Sequence, residues 1–181
     1  MSVAAAETTE DAFLGGSVRR RQPRRGYRAA TDPVLLAAAV PARAGESVLD
    51  LGCGAGAAML CLAARVPGVA LSGLEREADY AALARENAAL NGIAAEIVQG
   101  DVAAMPAVLR ARAFDHAMMN PPFHPASAPE AGTALRDRAH RADTSLAVWI
   151  AAALARLRPR GRLALIHRAA ALPEILAALA G

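Results

Sequence analysis

The 181-residue sequence predicts an α/β domain, doubly wound around a mostly parallel sheet. Three observations predict it. Short apolar runs alternate with helix-period segments from residue 31 onward, the pattern of a sheet covered by helices on both faces. A glycine turn, Gly52-Cys53-Gly54-Ala55-Gly56, joins the first of those runs to the next helix. Four polar signals, Asp50 to Gly56, Glu75, Asp101 and Asn120, each fall at or just past the end of an expected strand. Right-handed crossovers put all such ends on one rim, where open sheets bind ligands near the topological switch point.

The elements follow in order. Thr31 or Asp32 can cap a helix, and Pro33 suits its first position, so a helix is expected over Val34–Val40, stopped by Pro41. Ser47–Leu51 reads as a short buried strand, and Ala57–Arg65 as a helix closed by Pro67-Gly68. Val69–Leu74 is the second strand. Glu77–Leu90 is a helix with Tyr80, Leu83, Asn87 and Leu90 on one face, ended by Asn91-Gly92. Ala95–Gln99 and Phe114–Met119 are the third and fourth strands. Leu146, Trp149, Ile150, Ala153, Leu154 and Leu157 keep helical spacing. Pro159-Arg160-Gly161 is expected to turn the chain into a fifth strand, Arg162–His167, before a last helix from about Leu172 to Leu179.

Composition narrows the class. The apolar fraction of 55% overstates the core, because alanine dominates it and carries little area. Two cysteines, Cys53 and Cys61, suggest neither a disulfide framework nor a metal site, which fits a reducing, cytoplasmic setting. The start, MSVAAAETTEDAF, has no export leader, and no apolar stretch is long enough to span a bilayer, so no membrane partner is expected. All 20 basic residues are arginines, and the net charge is only +3. Their distribution is uneven: Arg19, Arg20, Arg21, Arg24, Arg25 and Arg28 crowd one segment. Arginine forks match phosphates and stack on bases, so an RNA-binding arm is one reading; a solvated tail balancing Glu7, Glu10 and Asp11 is the other. Residues 1–30 are expected to form this arm, disordered at its start, and residues 31–181 the folded domain.

Each rim motif implies chemistry. The G-x-G-x-G spacing differs from the G-x-G-x-x-G of dinucleotide binders, and Asp50 before it repels a pyrophosphate but suits an ammonium group. Glu75 can accept bonds from two ribose hydroxyls. Asp101 can accept from an adenine amino group, with the Val102 amide beside it, or can cap a helix. In Asn120-Pro121-Pro122-Phe123 the prolines stiffen the backbone. The Asn120 side-chain oxygen and the Pro121 carbonyl are then two acceptors for the two protons of a planar amino group. Phe123 can stack on the target ring. His116 and His167 read as core or edge residues, whereas His124 follows NPPF closely enough to be a candidate substrate contact.

VLDLGCGAG, GLERE, QGD and NPPF, in this order, resemble the class I S-adenosylmethionine-dependent methyltransferases, in their N-methylating branch, over residues 47 to about 168. The resemblance implies a Rossmann-like sheet and S-adenosylmethionine as cofactor. It implies Asp50, Gly52, Gly54, Gly56, Glu75 and Asp101 as cofactor contacts, and Asn120, Pro121, Pro122 and Phe123 as the amine clamp; Cys53 within the loop, Val102 beside Asp101 and Asn120 on the rim are further candidate cofactor contacts. The opening segments, Phe13-Leu14-Gly15-Gly16, Gln22-Pro23, Gly26-Tyr27-Arg28 and Asp32–Ala37, resemble bacterial valine-tRNA adenine-N6 methyltransferases. That implies tRNA as partner, with Tyr27 and Arg28 near the cofactor or target; Arg24 and Arg25 of the basic arm, and His124 just after NPPF, are further candidate substrate contacts. Members of the family generally add strands after the fifth, so the resemblance leaves either a chain shortened at its C-terminus or an unusually short sheet. Rival readings keep the chemistry on a protein glutamine, an rRNA guanine or a DNA adenine. Others replace it with an NAD-dependent oxidoreductase or a non-catalytic RNA-binding protein.

Overall fold

A computed structural model describes residues 8–23, 31–122 and 144–180. Its centre is a five-stranded, wholly parallel sheet. The strands are β3 (Ser47–Leu51), β4 (Ala70–Glu75), β5 (Ala95–Gln99), β6 (Phe114–Met119) and β7 (Leu157–Leu165), in spatial order β5-β4-β3-β6-β7. The order reverses between β3 and β6, which makes the crevice above those two strands the switch point.

Alternation along the strands divides the core into two layers. Val48, Leu71, Ile97 and Met118 face one way, onto helices α1 (Asp32–Ala39), α2 (Ala57–Arg65) and α3 (Ala78–Leu90). Leu49, Leu51, Leu74, Ala117 and Met119 face the other, onto α4 (Ala107–Arg110) and α5 (Leu146–Leu154). A final helix, α6 (Leu172–Ala180), packs its Ile175 and Ala178 against the second layer. The predicted doubly wound architecture is therefore present, and α2 has the predicted bounds.

Two expectations need correction. Residues 8–23, expected to lie in a disordered basic arm, form an antiparallel hairpin of β1 (Thr8–Phe13) and β2 (Val18–Pro23). Charge density concealed a strand pattern. Arg19 and Arg21 point outward and pair with Glu10 on β1, while Val18, Arg20 and Gln22 are buried. Residues 1–7 and 24–30 lie outside the described residues. The second correction concerns β7, which begins at Leu157 rather than Arg162. The anticipated turn survives only as an irregularity: Arg160 takes φ +67° and the register slips between Phe114 and His116. A local bulge lets one strand absorb the kink.

Candidate active site

The first turn of the rim is built by backbone geometry. The Gly52 and Cys53 amides both donate to the Leu74 carbonyl, at 2.8 and 3.0 Å, and the Gly56 amide donates to the Cys53 carbonyl at 2.8 Å. Gly52 has φ +70°, and a Cβ there would stand 2.6 Å from the Trp149 ring. Only glycine meets both demands. Trp149 of α5 thus braces the loop from the far layer. At Gly54, also left-handed at φ +54°, no atom of the described residues lies within 4 Å of a Cβ position, so the loop stands clear of them there.

Two carboxylates stand behind the loop. Glu75, at the end of β4, accepts the Gly54 amide on Oε2 and the Glu77 amide on Oε1, both at 2.8 Å. It therefore fixes the loop's shape, and its oxygens retain lone pairs for further donors. Burial raises its carboxyl above the usual range despite those bonds. Asp50 is 3% exposed, and burial together with the Glu75 charge pushes its carboxyl well up. Two adjacent buried acids disfavour each other's ionisation, and a cation brought between them relieves both. Burial likewise pushes the Cys53 thiol up, so this cysteine is a packing residue rather than a nucleophile.

A cavity opens at the switch point. Asp50, Gly52, Cys53 and Gly54 line it from β3 and its loop, and Asn120 lines it from the end of β6. Pairing of Leu51 with Met119 sets those two chain ends side by side. Five of the predicted site residues thus meet around one space. Gly56 lies behind them as the left-handed cap of α2, at φ +84°. Pro121 is buried and Pro122 exposed.

Glu75, Asp101 and Val102 do not line that cavity. Asp101 accepts the Ala103 amide at 2.7 Å and faces Arg76 at 3.6 Å, so its carboxylate also stabilises its own turn. The Val102 side chain is in the core, 8% exposed. Phe123, His124, Arg24, Arg25, Tyr27 and Arg28 lie outside the described residues. His116 is buried and bonds Glu46 through Nε2 at 2.9 Å, the structural role expected of it.

Sequence reasoning missed part of the cavity. Arg20 and Gln22 of β2, Pro33 and Leu36 of α1, and Tyr80 of α3 also line it. The hairpin reaches it through two asparagines one turn apart, Asn87 in α3 and Asn91 at its C-terminal cap. Asn87 accepts the Arg21 amide at 2.8 Å and donates to the Arg21 carbonyl at 2.9 Å. Asn91 does the same for Arg19, at 2.9 and 2.6 Å. Asn87 also donates to the Ala55 carbonyl of the glycine loop at 2.9 Å. An Asn at i and i+4 was a readable signal only once a strand edge was known to lie opposite.

Comparisons with known proteins agree with this geometry. Residues 30–179 match the family described as methyltransferase small domain. The tRNA1(Val) (adenine(37)-N6)-methyltransferase of Porphyromonas gingivalis strain W83 is 34% identical over 147 residues, covering 77% of this chain and 58% of its own length. A structure described as a predicted O-methyltransferase, from Agrobacterium tumefaciens, superposes with TM-score 0.61 at 29% identity, covering 81% of this chain and 66% of that one. The T. thermophilus 16S rRNA N2 methyltransferase in complex with AdoMet and guanosine superposes with TM-score 0.59 at 25% identity, covering 84% and 39%. The chain spans somewhat more than half the length of the first of these relatives. With the family matched across the whole sheet and the rim, the chain belongs to the methyltransferase small-domain family.

Proposed function

We propose that the chain is an S-adenosylmethionine-dependent N-methyltransferase that modifies an adenine N6 of tRNA in the cytoplasm. The observation that carries this reading is the meeting of buried Asp50, the glycine loop and Asn120 around one cavity at the switch point. Buried Asp50 in its wall favours a cationic group at that point. A nicotinamide dinucleotide would bring a pyrophosphate against Asp50 and Glu75, which costs repulsion in a low-dielectric site. Among the described residues, the clearance at Gly54 gives the ligand's body room to approach the backbone.

When bound, the cofactor supplies a methyl group carried on a positively charged sulfur. The chain does the rest by placement. Asp50 takes the ligand's ammonium, and Glu75 and Asp101 offer acceptors to its ribose and adenine. The Asn120 side-chain oxygen and the Pro121 carbonyl accept the two protons of the target amine, turning its lone pair toward the methyl. The amine proton becomes acidic as the new bond forms and passes to solvent, so no strong base is required. The rate comes mainly from alignment. Phe123 stacks on the target ring.

The relative named as a tRNA adenine methyltransferase supports RNA as substrate. So do the exposed Arg19 and Arg21 on the hairpin, continuous in sequence with Arg24, Arg25, Tyr27 and Arg28. Methyl transfer from labelled cofactor into total tRNA, rRNA and a release factor, followed by nucleoside analysis, tests the reading. N6-methyladenosine in the tRNA fraction is the expected product. Label confined to protein would replace tRNA with a glutamine amide as substrate.

A further inference from the structure

The cavity lies at the C-terminal rim of the sheet, and a second concentration of charge lies at the opposite end. In a wholly parallel sheet every strand starts at that foot. Arg110 ends α4, and Arg112 stands just before β6 begins at Phe114. Arg156 stands just before β7. Its carbonyl accepts the Phe114 amide at 2.8 Å, and its Nη1 donates to the Arg112 carbonyl at 3.4 Å. Arg158, Arg160 and Arg162 follow in β7 itself. Two segments distant in sequence thus bring their arginines together where two neighbouring strands start.

A bulge pushes the β7 arginines outward. Phe114 pairs with Leu157 and His116 with Arg162, so residues 158–161 stand opposite Asp115 alone and leave the ladder. Gly161 permits the close turn: a Cβ there would stand 2.9 Å from the Arg158 carbonyl oxygen and 3.1 Å from that of Asp115. Arg160 takes φ +67°, a conformation that suits glycine and opposes a side chain. An outlier of this kind points to a use for the side chain it carries.

The charges are only partly matched. Three carboxylates at this foot are already committed: Glu96 pairs with Arg112, Asp115 pairs with Arg158 at 2.6 Å, and Glu46 bonds His116. The guanidinium groups of Arg110, Arg160 and Arg162 are exposed and have no partner among the described residues. By contrast, Arg19 and Arg21 pair with Glu10, Arg65 bonds the carbonyls of Ala37 and Val40, and Arg76 pairs with Glu77 and Asp101. Phe114, the ring beside the cluster, is buried beneath Arg112 and offers no face for stacking an unpaired base.

We propose that the foot of β6 and β7 is a second contact surface for the RNA substrate, gripping phosphates of its double-helical part while the target base sits at the rim. Guanidinium forks match phosphate oxygens, and a helix presents these in rows whatever its sequence. β6 is six residues long, which sets foot and rim about 17 Å apart. A contact at that distance does not touch the reacting atoms; it contributes affinity for the body of the substrate. The inference rests on RNA being the substrate, and the test separates the two.

Binding of end-labelled total tRNA to the full chain, read by fluorescence anisotropy across a salt series, is the measurement. The triple variant Arg110→Gln, Arg160→Gly, Arg162→Gln removes three guanidinium groups that hold no partner in the fold, and glycine suits the backbone at 160. Its tRNA affinity is expected to fall about tenfold or more, and its slope of log affinity against log salt to shrink by about 2. Lysine at all three positions keeps the charge and is expected to keep the slope. In methyl transfer, the KM for tRNA is expected to rise about tenfold in the glutamine–glycine variant, with kcat within about twofold. Affinity for a short unstructured oligouridine is expected to stay within about twofold. Should the triple variant fail to fold, Arg160→Gly alone carries the test, with an expected loss of about threefold. Unchanged tRNA affinity and slope overturn the inference, and self-association of such a variant would assign the arginines to guarding the sheet edge. Equal losses for tRNA and oligouridine contradict a helical partner, and a fall in kcat at constant KM contradicts a remote contact. A wild type that binds no tRNA sinks the RNA reading, and this inference with it.

Discussion

Strands β3 and β4 bury every residue after their first, whereas β7, in the same parallel sheet, has no fully buried residue. The helices follow suit. Six residues of α2 are buried, and none of α6, where Leu172, Leu176 and Leu179 are 54%, 57% and 47% exposed. The candidate site belongs to the buried flank. A loop can hold three left-handed glycines, and two acids can be kept from water, only where the supporting strands cannot yield. The outer flank closes the second core layer but leaves its own far side to solvent. Fold and site thus place different demands on the two halves.

Matched substitutions would break this contrast or sharpen it. Leu49→Ala, at a position 0% exposed in β3, is expected to cost about 3–4 kcal/mol. Leu163→Ala on β7, which is only partly buried, is expected to cost about 1 kcal/mol. Denaturant midpoints compare the pair; equal losses would show that the flanks are equally packed. Next comes Gly52→Ala, expected to cost about 2–3 kcal/mol through its left-handed φ and the Trp149 ring. The Gly52→Ala, Trp149→Ala double variant should lose less than the sum of the two single variants, because the ring would no longer obstruct the new methyl.

The sheet was legible in the sequence because its strands are short apolar runs bounded by turns, which leaves little choice of period. The rim residues were legible for a related reason: Asp50, Glu75 and Asn120 are polar where an apolar strand ends. The hairpin was not legible. Six arginines within 19–28 masked an alternation in which Arg20 faces inward, and the Asn87 and Asn91 bonds that anchor the strand are non-local. Tyr80 and Trp149 read as helix-face residues, and their places beside the cavity and the glycine loop follow only from the crossovers that bring α3 and α5 to the rim. The kink at Arg160 was legible, but not that a strand would run through it.

Charge provides two smaller tests. The Asp50 carboxyl is raised by folding, so its contribution to stability is complete below about pH 4, its unfolded value, and is lost as pH rises through the higher folded value. Asp50→Asn is therefore expected to raise the melting temperature of the ligand-free protein at pH 7 by about 3 °C while abolishing S-adenosylhomocysteine binding. A variant less stable than wild type at that pH would show that Asp50 is held by favourable bonds instead. On the outer flank the sign reverses. Bonds from Ser47 and Arg158 hold the Asp115 carboxyl at about 2. Its contribution is present above the unfolded value near pH 4 and lost as pH falls through about 2. Arg158→Ala, removing one partner of this partly exposed pair, is expected to cost no more than about 0.5 kcal/mol at neutral pH and progressively less as pH falls through about 2.

The most direct test of the account separates holding the cofactor from aligning the amine, and Asn120→Ala does so. S-adenosylhomocysteine affinity by calorimetry and methyl transfer into tRNA would be measured on the same preparation. The account predicts affinity within about threefold of wild type and transfer reduced about a thousandfold or more, because alignment rather than binding is lost. Affinity and transfer falling by the same factor would contradict it, since Asn120 would then hold the cofactor and not the target nitrogen.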